Sequence, residues 1–249
     1  MSAALLALVA GAFTGLALGA LGGGGSVLAV PALIYLVGLS PAAAATASLV
    51  VVTLTSATAL SGHARQGTVR WREGVLFAAA GVVPAALGGV VSARLPAALL
   101  TGAFAVVAAL AAVRMLRPSA ASSGDAVEVR AGRVGGAGAG LGAVTGVLGV
   151  GGGFLAVPAL VHVAGLRMRA AVGTSLLVIT LNALVALAAR AGSAVTVDWA
   201  AVAPFAAAAV LGSWDGRRLA ARVPAGTLQR VFAWALLGVA AFMLADTVL

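Results

Sequence analysis

A glycine-rich segment of twelve residues occurs twice in this chain, each time within a strongly apolar stretch. The first copy, GGGGSVLAVPAL, covers residues 22–33, and the second, GVGGGFLAVPAL, covers residues 149–160. Pro31 and Pro158 occupy the same place in the two copies and are 127 residues apart, about half of the 249-residue chain. A soluble protein places such a flexible, donor-rich loop at its surface, but here the flanking sequence contains almost no polar residues. The fold must therefore accommodate two breaks inside apolar segments.

The apolar character of the whole chain indicates an integral membrane protein. Hydrophobic residues make up 62% of the sequence and charged residues 8%, with a mean hydropathy of +1.15, whereas a soluble domain has about 25% charged residues. Several apolar runs reach about 20 residues, enough to cross a bilayer as a helix. All 15 basic residues are arginine and the net charge is +9, but they lie between apolar runs, where they set topology. We expect no nucleic-acid partner.

The residue types also exclude several functions. Cysteine is absent, and the two histidines are not accompanied by clustered acids, so we expect no metal site, no cofactor and no thiol chemistry. No nucleophile motif predicts catalytic residues, and no ATPase motif is present. The apolar N-terminus resembles a signal peptide, but no basic residue precedes Arg65. Because its segment Gly15–Gly19 also recurs at Gly142–Gly146, we interpret it as the first membrane segment.

The similarity between the two halves extends well beyond the glycine phrases. Matching landmarks are Gly38-Leu39 with Gly165-Leu166, Trp71 with Trp199, Arg94 with Arg222, and Pro96 with Pro224. The sequence therefore predicts an all-α membrane protein with two repeats, residues 1–116 and 134–249, joined by a hydrophilic linker over residues 117–133. Each repeat is expected to contain one glycine-broken helix pair, fully spanning or re-entrant, and three transmembrane helices. The total is eight to ten membrane segments.

The arginine distribution predicts how the two repeats are oriented. Cytoplasmic loops carry an excess of positive charge. If the repeats are parallel, eight arginines lie inside and seven outside; if they are inverted, only Arg94 and Arg190 lie outside and thirteen lie inside. We therefore expect inverted repeats in the cytoplasmic (inner) membrane, with a cytoplasmic linker and both termini outside. The two glycine phrases then enter from opposite faces and meet near the midplane, a pattern typical of secondary transporters.

Exposed backbone within a membrane must face a cavity or be buried in protein. The helix that follows each glycine phrase presents free N–H groups and the positive end of its dipole, which favours an anion. Ser26 adds a hydroxyl, which Gly153 replaces in the second copy. The candidate backbone ligands are Gly22, Gly23, Gly24, Gly25 and Ser26 in the first copy and Gly149, Gly151, Gly152 and Gly153 in the second. The alternative is that these glycines only allow close helix packing.

Hydroxyl and amide side chains in the following spans are further candidates for binding the anion. They are Thr46 and Ser48 in the first half and Thr174, Ser175 and Asn182 in the second. Such groups can coordinate an oxyanion without carrying a charge. The alternative is that each bonds to its own helix backbone or to a neighbouring helix. At equivalent positions and close to the glycine phrases, Ser48 and Ser175 are the favoured pair.

The doubled phrase, with GGGGSVLAVPAL and GVGGGFLAVPAL each opening one half of a membrane protein of about this length, resembles the sulfite exporter TauE/SafE family. The resemblance covers nearly the whole chain, including the Gly-Leu pair after each short apolar run. It implies transport of sulfite, or of related sulfur oxyanions and organosulfonates, across the cytoplasmic membrane. The substrate stays open, because the family is functionally broad.

The function expected from the sequence is therefore secondary transport of a small anion by alternating access. Its partners are the anionic substrate and the lipid bilayer, and assembly into a homo-oligomer is compatible with the sequence. Two alternatives remain open. An anion channel would use the same site without a conformational cycle, and a non-transporting membrane scaffold would use the glycines only for packing.

Overall fold

The computed structural model describes residues 3–21, 26–92, 94–116, 131–148, 153–190, 192, 195–220 and 225–248, and its regular structure in these ranges is helical throughout. The expectation of an all-α protein is confirmed. Within these ranges the helices are α1 (Ala3–Leu21), α2 (Ser26–Tyr35), α3 (Pro41–Arg65), α4 (Trp71–Ser92), α5 (Ala97–Leu116), α6 (Ala131–Leu148), α7 (Gly153–His162), α8 (Met168–Arg190), α9 (Trp199–Ala220) and α10 (Ala225–Val248). Because α6 begins at Ala131, the last three residues assigned to the linker are helical.

Three of the described helices are long and apolar enough to cross a membrane. They are α3, α4 and the segment Arg169–Arg190 of α8. Shorter apolar helical segments occur in α1 and α6, at Leu5–Ala20 and Gly135–Leu148. Length and composition therefore agree with a helical membrane protein, while the total of eight to ten membrane segments stays a prediction.

The short helices α2 and α7 end in the same way, at the Gly-Leu pairs that the two halves share. Gly38 has φ +81° and Gly165 has φ +63°, a left-handed conformation that favours glycine. The N–H of Leu39 donates to the carbonyl of Leu33 at 3.1 Å, and Leu166 makes the equivalent bond at the same distance. A glycine in the left-handed conformation, with the next N–H bonded back to a helix carbonyl, ends the helix and satisfies a carbonyl that the helix would leave unpaired. It limits α2 and α7 to 10 residues each, about 15 Å of helix.

Local sequence also explains where the long helices begin. The Ser40 hydroxyl accepts a hydrogen bond from the N–H of Ala43 at 3.3 Å, and Pro41 occupies the first turn of α3. Asp198 Oδ1 accepts from the N–H of Ala200 at 3.0 Å at the start of α9. Capping oxygens and an N-terminal proline satisfy or remove N–H groups that a helix start leaves unpaired. The boundaries expected at Pro41 and at Asp198-Trp199 are therefore explained.

The first helix of each half packs against the fourth helix of the other half. In each pair one helix presents glycines one turn apart, and a Cβ added at any of them would overlap the backbone of the partner helix. In α1 these are Gly11, Gly15 and Gly19, which face Phe205, Ala209 and Ser213 of α9; in α6 they are Gly138, Gly142 and Gly146, which face Phe77, Gly81 and Ala85 of α4. Residue numbers rise together in both pairs, so α1 runs parallel to α9 and α6 parallel to α4. These contacts replace side-chain packing by direct backbone contact.

The third helices of the two halves, α3 and α8, cross in the interior and run antiparallel. Ser56 Oγ and Thr180 Oγ1 are 2.8 Å apart, and Arg190 Nη1 donates to Thr46 Oγ1 at 3.3 Å. Residue numbers therefore fall along α8 as they rise along α3. By contrast, α4 runs parallel to α8, because Gly74 adjoins Thr174 and Gly89 adjoins Arg190. The C-terminal ends of α4, α6 and α8 thus lie together, beside the start of α3.

The α4–α6 contact predicts that alanine substitutions at two glycines of α6 have different effects on stability. Gly142→Ala places a methyl group against the backbone of Gly81, and overpacking of this kind costs about 1–3 kcal/mol. Gly140→Ala meets no atom within 4 Å, so the gain in helix propensity leaves stability equal or higher. We expect thermal unfolding in detergent to show a lower Tm for Gly142→Ala only. Equal Tm values for the two variants would contradict this contact.

Candidate functional site

The glycine phrases occupy the breaks between α1 and α2 and between α6 and α7. The candidates Gly22, Gly23, Gly24, Gly25, Gly149, Gly151 and Gly152 lie outside the described residues. Ser26 begins α2 and Gly153 begins α7, so the helix starts expected to bind an anion are present.

The helices that end at the two glycine phrases pack against different partners. Gly146, near the end of α6, packs against Ala85 of α4, so α6 ends within about two turns of the α4 C-terminus. Gly19 of α1 packs in the same way against Ser213 of α9, and α9 follows α8 after a short connection in the opposite direction. The helices α2 and α7 turn back into the bundle and contact each other. The two short helices that follow the glycine phrases are therefore in contact within the bundle.

A buried arginine lies beside the second break. Arg190, in the last turn of α8, is 6% exposed. Its Nη2 donates to Ser92 Oγ at 2.7 Å and to the carbonyl of Gly146 at 2.8 Å, with a longer contact of 3.4 Å to the carbonyl of Val147. Its Nη1 donates to Thr46 Oγ1 at 3.3 Å. One guanidinium thus connects the start of α3 with the ends of α4 and α6.

A small hollow with room for about one water molecule adjoins this guanidinium. Its polar lining consists of Thr46, Ser92 and Arg190, and its apolar lining includes Ala45 and Leu100. A second hollow of similar size shares Ala45 and Leu100 with the first and is mainly apolar, with Thr101 as its polar lining residue. Its other lining residues include Val30 and Ile34 of α2, Phe104 of α5, Val147 and Leu148 of α6, and Met243 of α10. The two hollows therefore adjoin each other beside the C-terminal ends of α4, α6 and α8.

Several residues at this position were not predicted as site residues. Ser92 and Thr145 are buried single hydroxyls in apolar runs, and no local pattern distinguishes them. Thr145 Oγ1 forms no hydrogen bond with the described residues, and Thr145 lies one turn before the end of α6. Arg190 did have a signal, because the arginine count left only Arg94 and Arg190 on the outer side. An arginine that departs from the topological charge bias is a candidate for a role inside the membrane.

Among the five side-chain candidates, Thr46 is the one with a described hydrogen bond to Arg190. Thr46 Oγ1 also donates to the carbonyl of Ala42 at 3.0 Å. The favoured pair, Ser48 and Ser175, are fully buried and donate to carbonyls of their own helices, at 2.9 and 2.8 Å. These bonds agree with the alternative in which membrane hydroxyls bond one turn back along their helix.

Thr174 lies at the other end of α8. Its Oγ1 accepts a hydrogen bond from the N–H of Arg70 at 2.9 Å, which satisfies a donor just before α4 begins at Trp71. Sixteen residues of helix separate Thr174 from Arg190, about 24 Å. The two residues therefore do not line one binding site, and the described contact gives Thr174 a role in positioning the start of α4.

Comparison with known proteins places this architecture in a family. Residues 7–243 match the family described as "Sulfite exporter TauE/SafE". The chain belongs to the TauE/SafE family. Two proteins of Xylella fastidiosa, from strains 9a5c and Temecula1 / ATCC 700964, are each 34% identical to it over 241 residues, covering 94% of this chain and 92% of the relative. Both are described as "Probable membrane transporter protein". No solved structure matches the chain significantly.

Asn182 is the candidate whose side chain is most costly to keep within this TauE/SafE protein. It is fully buried, and neither Nδ2 nor Oδ1 forms a hydrogen bond with the described residues. A Cβ added at Gly81 would lie 2.9 Å from its Nδ2, so the amide packs against Gly81 of α4. A buried polar group without such a bond costs about 1–3 kcal/mol. A membrane protein that retains such a group has a candidate functional residue there.

We expect Asn182→Leu to raise stability and lower transport activity. Leucine has the same branching at Cγ and the same number of side-chain heavy atoms as asparagine, and it removes two polar atoms from an apolar interior, so the Tm in detergent should rise by a few degrees, in line with about 1 kcal/mol or more. Val178→Leu on the same helix, also fully buried, is the control for a change of packing alone. A lower Tm for Asn182→Leu would show that the amide contributes a stabilising interaction.

Proposed function

We propose that this protein is a secondary transporter of a small anion, a sulfur oxyanion such as sulfite or an organosulfonate, across the cytoplasmic membrane. The observation that carries the proposal is the pair of short helices, α2 and α7, which contact each other and each follow a glycine phrase. Membership of a membrane transporter family supports transport as the activity. The sulfur-containing substrate rests on the family description.

The anion preference follows from the helix starts. The first N–H groups of a helix have no partner within the helix, and together with the helix dipole they favour negative charge. In α2 and α7 these groups follow glycines, which let a ligand approach the backbone closely. We propose Gly22 to Ser26 and Gly149 to Gly153 as two backbone half-sites, with Thr46 and Asn182 as candidate side chains. Ser48, Ser175 and Thr174 then act mainly in helix packing.

Alternating access is supported by the relation between the two halves. Equivalent helices α3 and α8 run antiparallel, and the exchanged pairs α1–α9 and α4–α6 match each other residue by residue. A two-fold axis in the membrane plane relates helices in this way, and inverted repeats of this kind are typical of secondary transporters. We therefore propose inverted repeats, with half-sites displaced toward opposite faces so that each opens to its own side.

Transport, rather than catalysis, is the activity that the described residues support. Within the described part of the chain no group of three His, Asp or Glu side chains could hold a metal ion. Four acids lie in the described ranges: Glu73 at a helix start, Asp198 at a cap, Asp215 at an exposed position of α9, and Asp246 in the last turn of α10. Because the sequence contains no ATPase motif, we propose coupling to an ion gradient or to the substrate gradient alone.

Reconstituted flux tests this function. Purified protein in liposomes should show saturable uptake of radiolabelled sulfite and counterflow when unlabelled sulfite is loaded inside, because a carrier exchanges substrate through one site. Sulfate, thiosulfate and taurine are measured in parallel to define the substrate range. Flux that does not saturate and shows no counterflow would favour a channel, and absence of flux for all four anions would favour a scaffold.

The inverted arrangement predicts an extracytoplasmic C-terminus. A C-terminal alkaline phosphatase fusion should be active and a C-terminal green fluorescent protein fusion should be dark, while fusions placed in the 117–130 segment should behave in the opposite way. The linker fusion is the internal control for expression and insertion. A fluorescent C-terminal fusion would exclude the orientation proposed here.

A further inference from the structure

We propose that Asn182 is a positioning residue of the transport cycle. Its amide has no described hydrogen bond in this conformation, and it bonds to the backbone of α6 in a second conformation, which α8 reaches by a small shift along α4. This inference rests on the proposed function and concerns how the helices move, not which anion they carry. It is the alternative to a direct contact between Asn182 and the anion.

The first argument is the free-energy cost of the buried amide. Asn182 is fully buried in α8, and neither Nδ2 nor Oδ1 bonds to the described residues. Nearly all buried polar groups in proteins are hydrogen-bonded, because an unpaired one has lost its bonds to water without replacement. An amide that is unpaired in one conformation and bonded in another raises the free energy of the first conformation only. It therefore favours the movement from the first to the second.

The second argument is that an acceptor lies close to the amide. A Cβ added at Gly81 would lie 2.9 Å from Asn182 Nδ2, 3.1 Å from Oδ1 and 2.8 Å from the carbonyl oxygen of Gly138 in α6. Nδ2 is therefore within about 6 Å of that oxygen, and a hydrogen bond needs about 3 Å. The carbonyl has a second lone pair that can accept this bond. A shift of α8 by less than one helical turn, about 5.4 Å, is enough to form it.

The third argument is that α4 presents glycines to α8. A Cβ added at each of them would lie 2.9, 2.9 and 3.3 Å from atoms of α8, and these glycines are Gly74, Gly81 and Gly89. The three positions place no side chain between the two helices, so α8 can shift along α4. Shear movements in proteins are small slides of packed helices of this kind. The equivalent positions in the other half all carry side chains, and they are Val202, Ala209 and Arg217 of α9.

The fourth argument comes from the equivalent pair of residues in the other half. By the repeat offsets, Asn182 corresponds to Thr55 and Gly81 to Ala209. Thr55 is also buried, but its Oγ1 donates within its own helix, to the carbonyl of Val51 at 2.7 Å.

The two pairs therefore differ in how the polar group is satisfied. The hydroxyl of Thr55 needs no partner outside α3, whereas the amide of Asn182 has no described bond within α8. The absent Cβ of Gly81 leaves the room that the longer amide occupies. An amide beside a glycine in one half thus takes the place of a self-bonded hydroxyl and an alanine in the other, and the amide can bond only across the helix contact.

Transport kinetics of Asn182→Leu test the inference. Counterflow of radiolabelled sulfite is measured with the purified full-length protein in liposomes. Leucine cannot form the bond of the second conformation, so the maximal rate should fall about tenfold, the factor that corresponds to one buried hydrogen bond. The KM for sulfite should not rise, and the Tm should increase as predicted above. A residue that contacts the anion would instead raise the KM.

A pair of substitutions copies the other half into this contact. Gly81→Ala alone should lower the Tm by several degrees, because the added methyl group meets Asn182 Nδ2 at 2.9 Å. Adding Asn182→Thr should restore most of the Tm, since threonine is one bond shorter and can bond to its own helix as Thr55 does. The maximal rate should stay about tenfold low, because the hydroxyl does not reach α6.

The controls are Val178→Leu, a change of packing at another buried position of α8, and Gly140→Ala, whose methyl group meets no atom within 4 Å. Gly140→Ala should transport as the wild type does, and Val178→Leu should not combine a higher Tm with a lower rate. If Asn182→Leu does not fold, the double variant decides. The inference is overturned by a raised KM at an unchanged maximal rate in Asn182→Leu, by a wild-type rate in the double variant, or by a double variant whose Tm is as low as that of Gly81→Ala.

The same measurements separate this inference from the proposed function. If the wild type transports sulfite with saturation and Asn182→Leu has the same maximal rate, the inference fails and the transport function stands. If the wild type transports none of sulfite, sulfate, thiosulfate and taurine, the transport function fails and the inference fails with it. A lower maximal rate of Asn182→Leu at an unraised KM, with Gly140→Ala unchanged, supports both.

Discussion

Direct backbone contact between helices of opposite halves is the constraint on which the rest of this structure depends. In a membrane, helices gain little from burying apolar side chains, because the lipid is equally apolar. Close approach through glycine stripes provides packing that lipid cannot replace. The stripes of α1 and α6 tie each half to the other at α9 and α4. The two halves are therefore interlocked, and neither forms a complete bundle alone.

The same contacts determine the position of the C-terminal end of α6. Because Gly146 lies against Ala85, α6 ends beside the C-terminal turns of α4. Helix α8 runs parallel to α4, and its last residue, Arg190, lies beside the same turns. The guanidinium can then reach the last carbonyls of α6 and the hydroxyl of Ser92 together. Cationic side chains stabilise helix C-termini through exposed carbonyls and the helix dipole. One buried charge thus joins three helix ends next to the break in the second repeat.

Much of this architecture could be predicted from the sequence because its signals are local or periodic. Apolar runs indicated the helices, the Gly-Leu pairs indicated where α2 and α7 end, and landmarks such as Trp71 and Trp199 indicated the repeat. The contact between Arg190 and Thr46 could not be predicted in the same way, because 144 residues separate them. Side-chain roles were equally hidden, since a serine such as Ser48 looks the same whether it binds a ligand or its own helix.

The differences between the halves carry more functional information than their similarity. A perfectly symmetrical pair would present the same chemistry to both faces of the membrane. By the repeat offset, Arg190 and Thr46 correspond to His63 and Gly173, so under the proposed function a bound anion would meet different side chains at the two ends. Such a difference would not set the direction of net flux, which depends on gradients, but it would change the affinity at each face. The shared backbone would then serve the conformational cycle, and the few unshared side chains would serve recognition.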